Sequence, residues 1–359
     1  MNKILFTGGG SAGHVSVNVA LIPEFKKHGY QISYIGSKKG IEKEMIENIN
    51  DVKYHAISSG KLRRYFSWEN FIDPFKVLKG ILDSIFIIKK EKPDFIFSKG
   101  GFVSVPVCVA ARLLKVPVVL HESDLTPGLA NKINIKFSNH IFTTFEDTLN
   151  YLPKGKASLI GAIVRDAIYG GSKERAYQFT GFTKGKPVIL VMGGSLGSKI
   201  LNDYNWDNIE ELTEKYQIIH LVGKGLLNKD INVEGYNQYE FLSAELFDIF
   251  KIVDFTISRA GANALYEFLA LNIPAILVPL GTNQSRGDQI ENAKFFEKNG
   301  FALVFQEDDF KDLELTKVDD FYNSLNDYKN AMIKYKNEKK VINNVEDFYN
   351  KILKEVGGK

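Results

Sequence analysis

Lys3-Ile4-Leu5-Phe6-Thr7-Gly8-Gly9-Gly10-Ser11-Ala12-Gly13-His14 is the stretch that decides the fold. Its apolar run is too short for a helix and reads as a buried strand. A glycine turn follows, then an amphipathic pattern that runs to Lys27 and stops at His28-Gly29. Strand, glycine turn and helix in that order open a nucleotide-binding α/β domain. The scheme restarts in the second half, where Pro187-Val188-Ile189-Leu190-Val191-Met192 runs into Gly193-Gly194-Ser195-Leu196-Gly197-Ser198. Two Rossmann-like domains with parallel sheets, facing a central cleft, are therefore expected. The length agrees, because 359 residues exceed what one hydrophobic core usually covers.

Working outward, short apolar runs alternate with helical patterns, as in a parallel sheet covered by helices. Strands are expected at residues 3–6, 31–35, 53–57, 94–97, 117–121 and 141–144, then at 187–192, 217–222, 236–241, 255–258, 274–278 and 302–305. Helices are expected at 15–27, 71–90, 105–114, 129–137, 244–251, 262–271 and 289–298. The polar, glycine-containing stretch 170–186 reads as the linker region, and a last helix is expected near 341–356. The net charge of +3 is too small to argue for nucleic acid as a partner. One cysteine, Cys108, excludes an intramolecular disulfide framework, and its apolar neighbours make it a core residue. The N-terminal apolar run is too short for a signal sequence, and no uncharged stretch reaches transmembrane length. The expectation is an intracellular protein, soluble or seated on a membrane surface.

Three glycine turns end strands: 8–13, Ser98-Lys99-Gly100-Gly101-Phe102-Val103-Ser104, and 193–197. Glycines let backbone approach a ligand, and the helix amides beyond them favour an anion. The first turn formally matches the dinucleotide fingerprint, but the end of the second strand reads Gly36-Ser37-Lys38-Lys39 where an NAD site wants an acid. The third has Ser195 but lacks the Gly-Lys-Ser/Thr of a Walker loop. Arg259-Ala260-Gly261 ends another strand, and Glu267 follows inside the next helix. A carboxylate there can accept two ribose hydroxyls, and an arginine can approach a diphosphate or a base. Gln289 and Asn292 share a helical face and offer amides to sugar hydroxyls.

In their order, these runs resemble the MurG family of peptidoglycan glycosyltransferases over nearly the whole chain. The resemblance rests on Gly8–His14 as quoted, Lys99-Gly100-Gly101-Phe102-Val103-Ser104-Val105-Pro106, His121-Glu122, Gly193-Gly194-Ser195-Leu196-Gly197, Arg259-Ala260-Gly261 with Glu267, and Asp288-Gln289 with Asn292-Ala293. Two runs depart from the family: Ser11-Ala12 in the first loop, and Ser123-Asp124 where the family has Gln-Asn after His-Glu. The resemblance implies a GT-B fold with three parts. Residues 1–163 would form an acceptor and membrane-facing domain, 164–340 the UDP-GlcNAc-binding domain, and 341–359 a helix packing back on the first. It implies inverting transfer of GlcNAc from UDP-GlcNAc to the C4 hydroxyl of undecaprenyl-diphospho-MurNAc-pentapeptide (lipid I), at the cytoplasmic face of the membrane, with cell-wall synthesis proteins as further partners. Arg165, Gly194, Ser195, Arg259, Glu267, Gln289 and Asn292 would bind the donor. Gly10, Ser11, Gly13, Gly100, Gly101 and Ser104 would bind the acceptor diphosphate.

Two residues compete as base. His14 begins a helix, which favours the neutral imidazole a base needs; Glu122 ends a strand, with His121 beside it to orient it. Inversion takes one displacement, so no enzyme nucleophile is needed. No Asp-x-Asp occurs, so no metal and no other cofactor is expected, and glycine loops, helix dipoles and Arg259 would stabilise the leaving UDP. For the membrane, the run Lys61-Leu62-Arg63-Arg64-Tyr65-Phe66-Ser67-Trp68 interleaves basic and aromatic residues. Phe71, Phe75, Leu78, Leu82 and Ile85 follow at helical spacing, with Lys76, Lys79, Lys89 and Lys90 nearby. The competing reading turns that stripe into the domain core. A glycolipid transferase, a UDP-GlcNAc 2-epimerase, a non-catalytic sugar-nucleotide-binding subunit and an NAD(P) oxidoreductase remain the alternatives.

Overall fold

The computed structural model describes residues 2–11, 13–60, 69–164, 166–194, 196–282 and 287–357, the side chains of 69–72 and 166 excepted. The chain divides into two units, Met1–Ile163 with Asn343–Lys359, and Val164–Ile342.

The first unit holds β1 (Lys3–Thr7), β2 (Gln31–Ser37), β3 (Val52–Ile57), β4 (Phe95–Ser98), β5 (Val118–Glu122), β6 (His140–Thr143), β7 (Ala157–Leu159) and the short β8 (Ala162–Ile163). The first seven form one sheet in the order β3-β2-β1-β4-β5-β6-β7, parallel throughout. Between them run α1 (Gly13–Lys27), α2 (Ile41–Glu47), α3 (Glu69–Glu91), α4 (Ser104–Leu113) and α5 (Leu129–Asn134). The strands β4 and β5 are buried along their whole length, which is why they open with apolar runs, Phe95–Phe97 and Val118–Leu120, before their polar ends. One face of the sheet packs Phe6 and Phe97 under Leu21, Ile22 and Phe25 of α1. The other packs Leu5, Ile35 and Ile96 under Val107, Cys108 and Ala111 of α4. Burial pushes the Cys108 thiol up to about 12, so it stays an inert core group.

The second unit repeats the plan with α6 (Lys173–Thr180), β9 (Val188–Met192), α7 (Lys199–Asp207), α8 (Ile209–Lys215), β10 (Gln217–Leu221), β11 (Tyr236–Tyr239), α9 (Glu245–Ile249), β12 (Phe255–Ser258), α10 (Ala262–Leu271), β13 (Ala275–Leu277), α11 (Asp288–Lys298), β14 (Ala302–Val304), α12 (Glu307–Phe310), α13 (Leu315–Asn323) and α14 (Leu325–Lys339). Its six strands are parallel in the order β11-β10-β9-β12-β13-β14. The first strand of each unit thus sits at a reversal of strand order, which is where open α/β sheets form a ligand crevice.

Stretch 170–186 is not a linker. Ser172 caps α6 by accepting the Arg175 amide at 3.3 Å, and Gly181 ends the helix at φ +69°. Arg175 grips Asp248 with Nε to Oδ2 at 2.8 Å and Nη2 to Oδ1 at 2.5 Å, fixing α6 to α9 within the second unit. A polar sequence here marks an exposed capped helix. The crossing between units falls at residues 163 and 164 instead.

After β15 (Ile342–Asn343), the final helix α15 (Val345–Gly357) belongs to the first unit and lies against α1. Phe348 and Ile352 are fully buried there, each worth about 1.5–3 kcal/mol. Tyr349 stacks on His28 with centroids 4.3 Å apart. In α3 the apolar residues divide into two stripes. Ile81, Ile85 and Ile88 pack on the core. Phe75, Leu78, Leu82 and Phe86 are exposed, at 74%, 58%, 52% and 74%.

Candidate functional site

In the first unit two glycine turns leave adjacent strands, residues 8–14 after β1 and 98–104 after β4. Gly101 adopts φ +82°, and a Cβ on it would lie 2.0 Å from the carbonyl oxygen of Gly9. Only glycine lets the two turns touch, and the Gly9 amide donates across the contact to Gly100 O at 3.3 Å. A Cβ on Gly100 would in turn meet the Asn131 side chain at 2.7 Å. Gly10, at φ +88°, donates its amide to Oε2 of Glu42 at 3.2 Å. Ser11 is exposed and its Oγ lies 2.9 Å from Nδ1 of His14. The half-buried His14 stands in the first turn of α1, next to Gly13.

Glu122, the last residue of β5, has 4% exposure and no unoccupied oxygen. Its Oε1 accepts the Asp124 amide at 3.0 Å, while Oε2 accepts Gly128 N at 3.1 Å and Asn131 Nδ2 at 2.9 Å. His121 does not orient it, because successive strand residues point to opposite faces. The imidazole instead meets Phe348 of α15 edge-on at 5.2 Å and sets Nε2 3.1 Å from Thr144 Oγ1. Burial, aided by the Lys99 charge, holds His121 well below its usual pKa. Lys99 is itself buried and donates to Ser123 Oγ at 2.6 Å. Ser104, expected among the acceptor ligands, has its hydroxyl engaged by the protein. It is fully buried, donates to Gly101 O at 2.7 Å and accepts Asn134 Nδ2 at 2.7 Å, so it braces the turn.

In the second unit the corresponding loop leaves β9. Gly197, at φ +74°, would press a Cβ to 2.0 Å from Val222 O, whereas Gly194, at φ +86°, has no atom of the described residues beyond its chain neighbours within 4 Å of such a Cβ. Gly194 therefore faces open space at the reversal point. Ser195 and Arg165 lie outside the described residues. Arg259, just past β12, is 8% exposed. Its Nη1 donates to Val278 O at 3.0 Å, and its Nη2 pairs with Glu307 Oε1 at 2.7 Å. Glu267 is half-buried on α10. Gln289 uses Oε1 to accept the amides of Ala260 at 3.3 Å and Leu280 at 3.2 Å, tying the turns after β12 and β13 together. Asn292 is fully buried and donates to Ala260 O at 3.2 Å, which braces the Arg259–Gly261 turn. Among the described residues, no group of three or more His, Cys, Asp or Glu is placed to hold a metal ion.

Known proteins place this geometry. Residues 4–143 match the glycosyltransferase family 28 N-terminal domain and 188–346 the family 28 C-terminal domain. The UDP-N-acetylglucosamine–N-acetylmuramyl-(pentapeptide) pyrophosphoryl-undecaprenol N-acetylglucosamine transferase of Staphylococcus saprophyticus is 57% identical over 96% of this chain and 99% of its own. The chain belongs to glycosyltransferase family 28. The Staphylococcus aureus transferase of the same name is 59% identical over 86% of this chain and 87% of its own. The crystal structure of Acinetobacter baumannii MurG, 21% identical, superposes with a TM-score of 0.75 over 99% of this chain and 100% of that one. Two Rossmann-like units of the GT-B type are thus the fold of this family 28 hexosyltransferase.

Two acids in this family 28 chain escaped the sequence reading. Glu42 is fully buried beneath the first loop, where it accepts Ser37 N at 2.9 Å, Ser37 Oγ at 2.5 Å and the Gly10 amide. Burial raises its pKa, but these hydrogen bonds outweigh burial and hold it below the ordinary carboxylate value. A Cβ on Gly9 would fall 2.5 Å from its carboxyl group, and one on Gly40 2.1 Å. Gly36 and Gly40 around an acid were the available signal. Glu307 is the second, and only its long-range pairing with Arg259 reveals it.

Proposed function

We propose that this chain transfers N-acetylglucosamine from UDP-GlcNAc to the C4 hydroxyl of undecaprenyl-diphospho-MurNAc-pentapeptide, giving lipid II and UDP with inversion at C1. The observation that carries the reading is 57% identity to a transferase of that name along nearly both full lengths. The second unit takes the donor. Gly194 gives a diphosphate close access to backbone, Arg259 faces its negative charge, and Glu267 accepts ribose hydroxyls, with Arg165 and Ser195 assigned by resemblance. Gln289 and Asn292 act by holding the Arg259–Gly261 turn in shape. The first unit takes the acceptor at Gly10, Ser11, Gly13, Gly100 and Gly101.

Chemically, the base removes the C4 hydroxyl proton as the oxygen attacks C1, and UDP departs with the bonding pair. His14 is the better candidate, since Ser11 Oγ at Nδ1 fixes its ring. Protonating Glu122 would disturb an oxygen already committed to Gly128, Asn131 or Asp124. The acceptor is lipid-linked, so the protein works at the cytoplasmic face of the membrane. No helix among the described residues is long and apolar enough to cross a membrane. The exposed stripe of α3, bordered by Lys79 and Lys90, supports contact from the first unit, while residues 61–68 lie outside the described residues. The deciding experiment incubates the protein with UDP-GlcNAc and a short-chain lipid I analogue. Release of UDP with formation of the disaccharide supports the reading. UDP-GlcNAc hydrolysis or epimerisation without acceptor glycosylation overturns it.

A further inference from the structure

We infer that Glu42 is a positioning residue for the transfer, holding the loop that carries Ser11 and His14 by clamping the Gly10 amide. The inference rests on the acceptor and base reading of that loop. Glu42 comes from α2, outside both glycine turns, and makes no use of its charge at the surface, being fully buried. A buried carboxylate is costly unless its oxygens are saturated. Here Oε1 is satisfied by Ser37 N and Oγ at the end of β2, and Oε2 reaches across to Gly10 N at 3.2 Å. Ser37 is anchored in turn, since Tyr54 Oη donates to its carbonyl at 2.7 Å. From the other side Tyr34 Oη donates to Gly8 O at 2.7 Å. The clamp therefore links the rigid edge β2–β3 to a loop of glycines that has little conformational preference of its own. Four residues after Gly10 comes His14, whose Nδ1 faces Ser11 Oγ at 2.9 Å, so the loop's path sets where the imidazole stands.

The carboxylate form is specifically required. In Glu42→Gln the side chain keeps its size, but in either amide orientation its NH2 would confront a backbone N–H, that of Gly10 or that of Ser37, donor against donor. In Glu42→Asp the charge stays, but the reach falls one methylene short. Both variants are assayed with UDP-GlcNAc and a short-chain lipid I analogue. Alongside, donor affinity is measured by titration, and amide hydrogen exchange is followed by mass spectrometry in the peptide spanning 8–14 and in peptides of the second unit. Ser37→Ala, which leaves the Gly10 contact in place, and His14→Ala are measured in parallel. The expected result is a loss of kcat of about 10²-fold for both Glu42 variants, as for an ångström-scale misplacement. Donor affinity stays unchanged, and exchange is faster in 8–14 alone; Ser37→Ala changes little.

If His14→Ala is inactive but both Glu42 variants keep wild-type kcat, the positioning role is overturned and the base reading stands. If His14→Ala is fully active, the base reading fails and the positioning role with it. Should exchange rise everywhere in the Glu42 variants, the residue only holds the fold together, and the inference is likewise overturned.

Discussion

The two loops that open the units have nearly the same sequence plan and different surroundings. In both, an asparagine five residues beyond the last glycine donates to a carbonyl at a strand's carboxyl end, Asn18 Nδ2 to Thr7 O of the loop's own strand at 3.2 Å and Asn202 Nδ2 to Val222 O, just past the neighbouring β10, at 3.0 Å. Beneath the first loop, however, lies the ionised Glu42, and against it packs the 98–101 turn. Beneath the second lies a neutral histidine, His220, held between Tyr236 Oη at 2.9 Å and Asn202 Oδ1 at 3.0 Å. Gly194 above it opens to solvent. The difference teaches that similar glycine signatures arise from two needs, backbone packing on backbone and backbone approach to a ligand. Sequence spacing alone does not separate them.

The sharpest test of that division is catalytic. His14→Ala is expected to lower kcat by about 10²–10⁴-fold with donor affinity intact. A fall in donor affinity instead would erase the distinction between the loops. Next come the glycines themselves. Gly101→Ala forces a Cβ into the Gly9 carbonyl at positive φ and should cost about 2 kcal/mol or more in a denaturant melt. Gly194→Ala meets no atom among the described residues beyond its chain neighbours and should cost only about 1 kcal/mol for its φ, while raising the donor KM about ten-fold. Equal stability losses and equal KM values would show that both glycines serve packing alone.

A pH series separates the buried groups. Burial lowers the His220 pKa from 6.5 to about 3, and lowers that of His121 as well. The unfolded chain then binds more protons, so stability falls as pH drops below 6.5, by up to about 1.4 kcal/mol per pH unit for each group. Glu42 adds its loss only below its unfolded value of 4.5, where the unfolded carboxylate takes up its proton first. A denaturation midpoint that stays flat from pH 7 to pH 5 would contradict neutral buried imidazoles in both units. The smallest stability effect is expected at α3. Replacing Phe75, Leu78 and Phe86 together with Ser should leave the melt unchanged, since all three are exposed, while weakening sedimentation with anionic vesicles about ten-fold or more. Undiminished vesicle binding would assign membrane contact to another surface.

By itself the sequence determined the α/β class, the duplication and the position of the glycine turns. Those follow from local periodicity, because a buried parallel strand is mostly apolar and glycine suits a tight strand-to-helix reversal. It also sufficed for His14 at a helix start and Arg259 at a strand end, since both stand beside their turns. Only the tertiary structure decided which polar residues brace and which face outward. Ser104 and Asn292 look like ligand groups in sequence and are fully buried on neighbouring backbone. Conversely, α3 carries apolar residues on two faces, and only packing distinguishes the stripe at Ile81, Ile85 and Ile88 from the exposed one beginning at Phe75. Glu42 stands 32 residues from Gly10, and Glu307 stands 48 residues from Arg259. A buried charge is tolerable only where distant donors converge on it, and that convergence is set by the sheet order, which no local pattern encodes.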